Sequence, residues 1–465
     1  MPVIFITDVF IFLLMFMVFA YMFYARQHEH LRAPWSNVAC RPLAMSAAII
    51  LVIYIVIGLL DSVHFHPKLE ATKSNDAVYS TEVSSLLDLM LGDLSKNTER
   101  TYSAPLASYA FAKEMIDSPD GRQSRAYARL KYGGAHLDDP ESDSMSDIIK
   151  QICIGLAYGL VISLLLSALI VFILSKGHKI AYKQALNKVY KNEFYVAWTA
   201  MLITASLIII LLSIVYNLAQ YYHVFGTDKV GQDVLYQAIK SIRTGLVIGT
   251  LTTLVMLPFA IMMGLMAGYF RGWIDDVIQY LYTTLNSIPG VLLIAASILL
   301  LQVYIGNHAD DFNSIEERAD LRLLFLCIIL GITSWTGLCR LLRAETLKLR
   351  EIDYVQAAQA FGVSNLGIML RHLLPNVMHI VMISIVIDFS GLVLAEAVLS
   401  YINIGVDPSM NSWGNMINGA RLEMAREPIV WWSLAAAFVF MFVLVLAANL
   451  FSDAVRDAFD PRLRH

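Results

Sequence analysis

The sequence predicts an all-α integral membrane protein with about nine spanning helices. Its 465 residues are 57% hydrophobic and 15% charged, whereas soluble domains average about 45–50% apolar and about 25% charged residues. Nine segments also reach the roughly 20 mostly apolar residues that a spanning helix requires. We place these spans at 4–24, 43–61, 149–175, 195–217, 244–269, 278–305, 321–341, 377–400 and 429–451.

The first apolar segment is predicted to remain in the protein as a span. Residues 4–24 follow no basic region and precede no small-residue cleavage site. The apolar run is also longer than the core of an ordinary signal peptide.

Composition argues against nucleic-acid and metal partners. The net charge of −4 comes without a basic stripe that could neutralise phosphates. The four cysteines lie far apart without a CxxC pair, which is typical of apolar packing residues rather than of a zinc site or a disulfide frame. The pairs His28/His30 and His64/His66 lack further ligands nearby, so we predict no metal.

The short loops orient the chain. Cytoplasmic loops carry an excess of Lys and Arg. With the C-terminus inside, the cytoplasmic segments hold seventeen Lys and Arg against six in the short outer loops. We therefore expect a periplasmic N-terminus and a cytoplasmic C-terminus, which places residues 351–375 in the cytoplasm.

Residues 351–375 are predicted to form two short helices joined by a sharp turn. The stretch EIDYVQAAQAF at 351–361 contains good helix formers and no breaker. Gly362 supplies a helix stop, and Ser364 is a candidate cap for the second helix. Pro375 fits the first turn of the following span. Small side chains on this elbow would let another protein approach closely, whereas a plain connecting loop is the alternative.

The same stretch resembles the EAA loop of ABC importer permeases, E-A-A-x(3)-G-x(9)-I-x-L-P. The matching positions, together with the Arg of an R-H-x-L-P-N ending typical of peptide permeases, are Gln356, Ala357, Ala358, Gly362, Arg371, Leu374 and Pro375. Gln356 replaces the glutamate of the motif and His372 its isoleucine. The missing charge puts one polar contact in doubt but leaves the helix and the surface.

Four further strings are similar to the C-type permease subunit of dipeptide/oligopeptide (peptide/nickel) ABC importers. They are FGTDKVGQDVL at 225–235, MAGYFRGWIDDVI at 266–278, LAEAVLSYINIGVDPSMNSWGNMI at 394–417 and RDAFDPRLR at 456–464. The resemblance runs from about residue 194 to the end. It implies the type I ABC importer fold of six helices over 194–465, to which this chain adds three N-terminal helices.

The resemblance also implies partners. The family assembles from a second homologous permease subunit, two ATP-binding subunits and a periplasmic substrate-binding protein, and it imports di- and oligopeptides. ATP and Mg²⁺ belong to the ATP-binding subunits, because this chain has no Gly-Lys dipeptide and hence no phosphate-binding loop of the G-x-x-x-x-G-K-[ST] type. We therefore predict a non-enzymatic permease without a cofactor of its own. Outer-loop residues Asp228, Asp233 and Trp413 are expected to contact the binding protein.

The family pattern leaves residues 1–193 unexplained. We divide them into two spans at 1–61, a periplasmic insert at 62–148, and a third span with a basic cytoplasmic loop at 149–193. The insert is predicted to be mainly helical, with one helix over VSSLLDLMLGDL and a second after Pro105. The insert contacts the binding protein or caps the pathway in one interpretation, and it is a spacer or assembly element in the other.

Two carboxylates lie inside the eighth span. Asp388 and Glu396 are eight residues apart and hence about 80° apart around a helix. Ionisable groups in a membrane normally face protein or a water-filled cavity. The two line the pathway or gate in one interpretation and bond to neighbouring helices in the other. Gly264 and Gly268 form a G-x-x-x-G pattern that predicts close helix packing.

Other cargoes and classes remain alternatives. Similar permeases import nickel chelates or antimicrobial peptides, and the separate binding protein largely selects the cargo. A membrane sensor with a periplasmic domain would need a cytoplasmic signalling domain, but the cytoplasmic segments are all short. A secondary transporter would show internal repeats, and we find none in the sequence.

Overall fold

The computed structural model describes residues 2–68, 79–80, 82–117, 123–308, 312 and 314–459. Parts of the predicted insert and the end of the string at 456–464 therefore lie outside the described residues. Nine helices in the described part are long and apolar enough to cross a membrane. Each overlaps one predicted span, which confirms the number and placement of the spans.

The helices occupy most of the described chain. In order they are α1 (Ile6–Gln27), α2 (Glu29–Cys40), α3 (Pro42–Asp61), α4 (Leu86–Met90), α5 (Gly92–Lys96), α6 (Pro140–Gly177), α7 (Tyr182–Tyr190), α8 (Trp198–Ala219), α9 (Val234–Phe270), α10 (Gly272–Ser287), α11 (Gly290–Asn307), α12 (Ile315–Ser334), α13 (Thr336–Leu349), α14 (Asp353–Ala360), α15 (Asn365–Ile368), α16 (Leu374–Tyr401), α17 (Trp413–Glu423) and α18 (Trp432–Phe459).

The strands are short and belong to two antiparallel sheets. They are β1 (Pro2–Val3), β2 (His64–Phe65), β3 (Ser84–Ser85), β4 (Tyr109–Asp117) and β5 (Gln123–Arg129). The first three form one sheet in the order β1-β2-β3, and β4 pairs with β5.

The insert is not mainly helical, contrary to the prediction. The run after Pro105 forms β4, which pairs with β5 so that Lys113 lies opposite Tyr127 and Met115 opposite Arg125. Cross-strand pairing outweighs the helical preference of its Ala, Lys and Glu residues. The other predicted helix is present as α4 and α5, and Ser85 caps α4 through a reciprocal pair of hydrogen bonds with Asp88.

The chain divides into two compact units, 1–3 with 35–243 and 411–451, and 4–34 with 244–410 and 452–465. In the first unit α6 packs closely on α8, since a Cβ added at Gly155 or Gly159 would lie 2.7 Å from the Cα of Ile214 or Ile210.

The second unit has its core between α9, α13 and α16. Gly264 permits the close approach of α9 and α13, because a Cβ there would lie 2.7 Å from Leu342 Cβ. Gly268 meets Thr346 in the same way, at 2.5 Å. The close packing predicted from G-x-x-x-G is confirmed. The first span belongs to this unit too, because the backbone N–H of Thr7 donates to Asp320 of α12 at 3.2 Å.

The predicted span at 278–305 is not one continuous helix. α10 ends at Ser287, and α11 begins at Gly290 after Pro289. Ile288 adopts an extended conformation, as a residue before proline usually does.

Candidate functional site

The predicted elbow at 351–375 is present and begins with α14. Val355 and Ala358 of this helix are buried in the core of the second unit. The helix ends at Ala360 with Phe361 as its C-cap. Gly362 follows with a φ of +74°, in the left-handed region, where residues with a Cβ are strained. The predicted glycine stop is thus confirmed.

The second arm of the elbow is continuous with a span. The Ser364 hydroxyl accepts the Gly367 N–H at 3.2 Å and caps α15, as predicted. A wide π-helical segment, Met369–Leu373, joins α15 to α16, and Pro375 lies in the first turn of α16. Together they form one run of 37 residues, Asn365–Tyr401. Such π segments are frequent at functional sites.

The exposed surface of the elbow contains fewer of the motif alanines than expected, and it includes an aromatic side chain. Gln356, Ala357, Arg371 and Pro375 are exposed, and Leu374 is half-buried. Ala358 is buried against the core of its own unit, and its predicted role in coupling to the ATP-binding subunit stays a prediction. Beside the turn, Phe361 is 88% exposed, and no motif position marks it.

Polar contacts fix the elbow to its own unit. The Tyr269 hydroxyl donates to Asn365 Oδ1 at 2.9 Å, and Arg350 donates to the Tyr269 carbonyl at 2.6 Å. On the other arm the Asn376 amide donates to the Tyr354 hydroxyl at 2.9 Å. The sequence pattern did not mark these tyrosines. The elbow therefore presents an exposed face while both arms are held.

An ion pair supports the same region. Arg343 of α13 donates two hydrogen bonds to Asp275 of α10, at 2.6 and 2.7 Å. These bonds hold the pKa of the Asp275 carboxyl below its usual range despite partial burial. Bidentate geometry of this kind fixes orientation as well as distance.

The two carboxylates of α16 have different surroundings. Glu396 is buried and accepts a hydrogen bond from Ser400 at 2.7 Å. Asp388 is half-buried and makes no hydrogen bond or ion pair with any residue that the structure describes. Its neighbour Phe389 packs against Gly249 of α9, where a Cβ would lie 2.5 Å from the ring.

The outer-loop residues predicted to contact a partner are structural instead. Asp233 is fully buried and caps α9 by accepting the N–H groups of Leu235 and Tyr236. Trp413 is 1% exposed and donates to the Ala238 carbonyl at 3.1 Å. Neither can be a direct contact, so that prediction is wrong for both.

Asp228 is half-buried and shapes the same loop. It accepts the N–H groups of Val230 and Gln232 at 2.9 Å and the side-chain amide of Gln237 at 2.8 Å. Its predicted contact with a binding protein stays a prediction.

A buried histidine joins the insert to this loop. His223 lies with Nδ1 2.7 Å from Asp233 Oδ2 and Nε2 3.5 Å from Glu99 Oε1. Burial alone would lower the pKa of His223, but the two carboxylates outweigh it and raise the pKa to about 9. Burial would raise the pKa of Glu99, but His223 and three backbone N–H groups lower it to about 2. Those groups belong to Lys131, Tyr132 and Gly133.

Two glycines of the loop let the insert approach its backbone. Gly226 has φ +68°, and a Cβ there would lie 2.3 Å from the Ser103 carbonyl oxygen. Gly231 has φ +78°, with the Glu99 carbonyl oxygen 1.9 Å from such a Cβ. The glycines of the G-T-D-x-x-G string therefore serve as contact points for the insert in this chain.

The insert also carries an open, charged groove. A cavity of about 690 Å³ lies over the β4–β5 hairpin. Charged residues line it, with Arg100, Arg129 and Lys131 against Glu99 and Glu114. Basic side chains outnumber acidic ones by three to two, so the groove carries a small net positive charge.

Comparison with known proteins agrees with the fold and the elbow. Residues 260–465 match the family model described as the inner membrane component of binding-protein-dependent transport systems. That range contains the elbow and both carboxylates of α16, Asp388 and Glu396.

Individual relatives point to the same class. The glutathione transport system permease protein GsiD of Pectobacterium atrosepticum is 30% identical over 244 residues, which are 52% of this chain and 73% of that protein. The dipeptide transport system permease protein DppC of Lactococcus lactis is 31% identical over 240 residues, which are 52% of this chain and 64% of the relative. The oligopeptide transport system permease protein OppC of Escherichia coli is 28% identical over 242 residues, 52% of this chain and 73% of the relative.

Fold, elbow and matches define a multi-pass membrane transport component. The chain belongs to the family of inner membrane components of binding-protein-dependent transport systems. It is thus a permease of the inner membrane and a non-catalytic transporter subunit. About half of the chain takes part in these alignments, and the added N-terminal spans fall largely outside them.

Proposed function

We propose that this chain forms half of the translocation pathway of an ATP-driven importer of di- or oligopeptides. A second homologous permease subunit supplies the other half, two ATP-binding subunits supply energy, and a periplasmic binding protein delivers cargo. Its relatives are dipeptide, oligopeptide and glutathione transport permeases, which supports peptides as the cargo class.

The observation that carries the proposal is the exposed face of the elbow. Ala357, Ala360 and the protruding Phe361 are exposed, while buried Val355 and Ala358 hold α14 to its unit. A short helix with small exposed residues and one aromatic anchor suits a groove on another protein. We place this elbow in the cytoplasm, where the excess of Lys and Arg in the neighbouring loops favours it.

The pathway role falls to Asp388 rather than to Glu396. Asp388 has free hydrogen-bonding capacity toward the described residues, whereas Glu396 is bonded within α16. A half-buried carboxylate can attract the ammonium group of a peptide. ATP-driven closure of the partner subunits then moves the elbow and α16 between two states.

The insert has a second proposed role, in contact with the binding protein. The exposed β4–β5 hairpin and its positively charged groove offer a surface for an acidic patch. The alternative is an assembly role, which the tight contacts of Glu99 and His223 also fit.

Site-specific cross-linking tests the central proposal. The exposed Cys40 and Cys153 are first replaced by Ser. In this background, Ala360→Cys should cross-link to the ATP-binding subunit of the assembled complex. Ala126→Cys, on the exposed hairpin, is the matched control. Cross-linking from Ala126 but not from Ala360 would refute the coupling role.

A separate experiment assigns the cargo. Uptake of labelled di-, tri- and pentapeptides is compared with uptake of a nickel chelate.

A further inference from the structure

Helix α7 lies in the short connection between two spans. α6 ends at Gly177 and α8 begins at Trp198, so α7 begins and ends within a few residues of a bilayer-spanning helix. No family string covers this part of the chain. A helix in such a connection can reach the lipid head groups if it carries an apolar face.

The connection is held in place at several points. Ala185 and Val189 are buried against Val171 and Leu174 of α6. The Ser175 hydroxyl donates to the Ile180 carbonyl at 2.7 Å, before α7. After α7, the Thr199 hydroxyl donates to the Asn192 side chain at 3.1 Å. The orientation of α7 about its own axis is therefore fixed by the protein.

In that orientation, part of the apolar face of α7 is not covered by protein. Tyr182, Leu186 and Tyr190 recur every four residues and so share one side of α7. This side adjoins the one formed by Ala185 and Val189, yet all three side chains are exposed, Tyr190 by 83%. Two tyrosines with a leucine suit the membrane interface, where a ring is buried and its hydroxyl stays hydrated.

Five lysines lie in α7 or in its flanking turns, and Lys183 directly adjoins the apolar stripe. They are Lys176, Lys179, Lys183, Lys188 and Lys191, and the segment has one carboxylate, Glu193. In the part of the chain that the structure describes, none of the five pairs with a carboxylate, and Lys176 lies over the Phe172 ring at 4.8 Å. Unpaired lysines beside an apolar stripe match the phosphates of an anionic leaflet.

We propose that α7 is an interfacial helix that binds anionic phospholipid. The stripe of Tyr182, Leu186 and Tyr190 enters the head-group region, and the nearby lysines contact lipid phosphates. Such a site would tether the added N-terminal spans to anionic lipid and make the protein sensitive to lipid composition. It is independent of the proposed cargo and of the ATP-binding partners.

Spin-label depth measurement tests the orientation. The full chain, with Cys40 and Cys153 replaced by Ser, is labelled at Tyr190→Cys or at Asn187→Cys. It is then placed in nanodiscs that contain phosphatidylcholine and the anionic lipid phosphatidylglycerol. The label at 190 should be accessible to oxygen and protected from a nickel chelate, and the label at 187 the reverse. Equal accessibility to the nickel chelate would overturn the proposal. Protection at 190 that arises only when ATP-binding subunits are added would overturn it too, since a protein would then cover the stripe.

Charge replacement tests the lipid class. Lys183→Gln, Lys188→Gln and Lys191→Gln together should weaken retention of a fluorescent phosphatidylglycerol by about tenfold or more, since each lysine near an anionic surface contributes roughly fivefold. The matched control is Lys96→Gln, Lys113→Gln and Lys131→Gln, three exposed lysines of the insert, which should leave retention unchanged. Equal retention in both triple variants would contradict the proposal.

Discussion

Nδ1 of His223 lies 2.7 Å from Oδ2 of Asp233, and both residues are inside the fold. Asp233 also caps α9, so the imidazole is tied to the start of a spanning helix. On its other side His223 faces Glu99 of the insert. A charged histidine between two carboxylates thus connects an added segment to a loop that the family pattern predicts.

The stability of this connection should depend on pH. The pKa of His223 is raised to about 9, so its contribution is complete below the unfolded value of about 6.5 and is lost as the pH rises through 9. The pKa of Glu99 is lowered to about 2, so its contribution is complete above about 4.3 and is lost in acid. We expect the free energy of unfolding in detergent to be highest near pH 5–6 and to fall by an amount on the order of 3 kcal/mol as the pH rises to about 9. A lower melting temperature would report this loss.

Replacement of the histidine should remove much of that fall. His223→Gln should flatten the alkaline side of the melting profile, whereas His308→Gln, at an exposed position, should not. Identical profiles for the wild type and His223→Gln would show that the ion pair does not govern the pH dependence.

Replacing Glu396 should lower stability, whereas replacing Asp388 should lower peptide uptake. Glu396→Ala leaves the Ser400 hydroxyl without its partner at 2.7 Å, which we expect to cost about 1–3 kcal/mol of stability. Asp388→Ala should leave the melting temperature unchanged and reduce peptide uptake. Thermal melting and peptide uptake into proteoliposomes, measured on both variants, test this difference. Unimpaired uptake by Asp388→Ala would show that Asp388 does not line the pathway.

The glycine pair of α9 should tolerate no added methyl group. Gly264→Ala places a Cβ 2.7 Å from that of Leu342 and 3.0 Å from the Cys339 carbonyl oxygen. Overpacking of this kind costs about 1–3 kcal/mol, which a lower melting temperature would report. Gly391→Ala on α16, where a Cβ meets open space, is the control. Equal melting temperatures would show that α9 and α13 separate readily.

The exposed aromatic of the elbow should matter for partner binding. Phe361→Ala removes a side chain that is 88% exposed, so the permease should remain stable. Loss of a central aromatic anchor typically weakens an interface by about tenfold or more. Affinity for the purified ATP-binding subunit measures this effect, and Leu422→Ala, at an exposed leucine of α17, provides the comparison. Unchanged affinity would place the docking face elsewhere.

Shortening the hairpin should distinguish the two roles of the insert. Lys113 lies opposite Tyr127, so residues 114–126 can be replaced by Asn-Gly, a two-residue hairpin turn. The contacts of Glu99 and His223 remain, and we expect an unchanged melting temperature with reduced uptake from the binding protein. Normal uptake would leave the assembly role alone.

Hydropathy and turn chemistry predicted the spans and the elbow because both depend on local sequence. A run of about 20 apolar residues has few alternatives to a membrane helix. Gly362 and Ser364 likewise determine their own turn, through a positive φ and a hydroxyl cap.

The outer side of the protein could not be predicted in this way. The local sequence of β4 favours a helix, and only its pairing with β5 makes it a strand, because strand pairing is not a local property. Asp233 and Trp413 look like surface residues in a polar string, yet helix capping and packing bury them. The exposure of Phe361 also depends on the fold, since one aromatic beside a glycine has no distinctive pattern.

The continuous helical run from Asn365 to Tyr401 joins the second arm of the elbow to Asp388 within one helix. Asp388 lies 23 residues along it, about 35 Å from Asn365. A rod of this kind carries force in both directions. If Asp388 binds cargo and the elbow binds an ATP-binding subunit, as proposed, a molecule bound at Asp388 also restrains the elbow. Cargo would then regulate the rate of the ATP-binding subunits as much as these subunits drive the cargo.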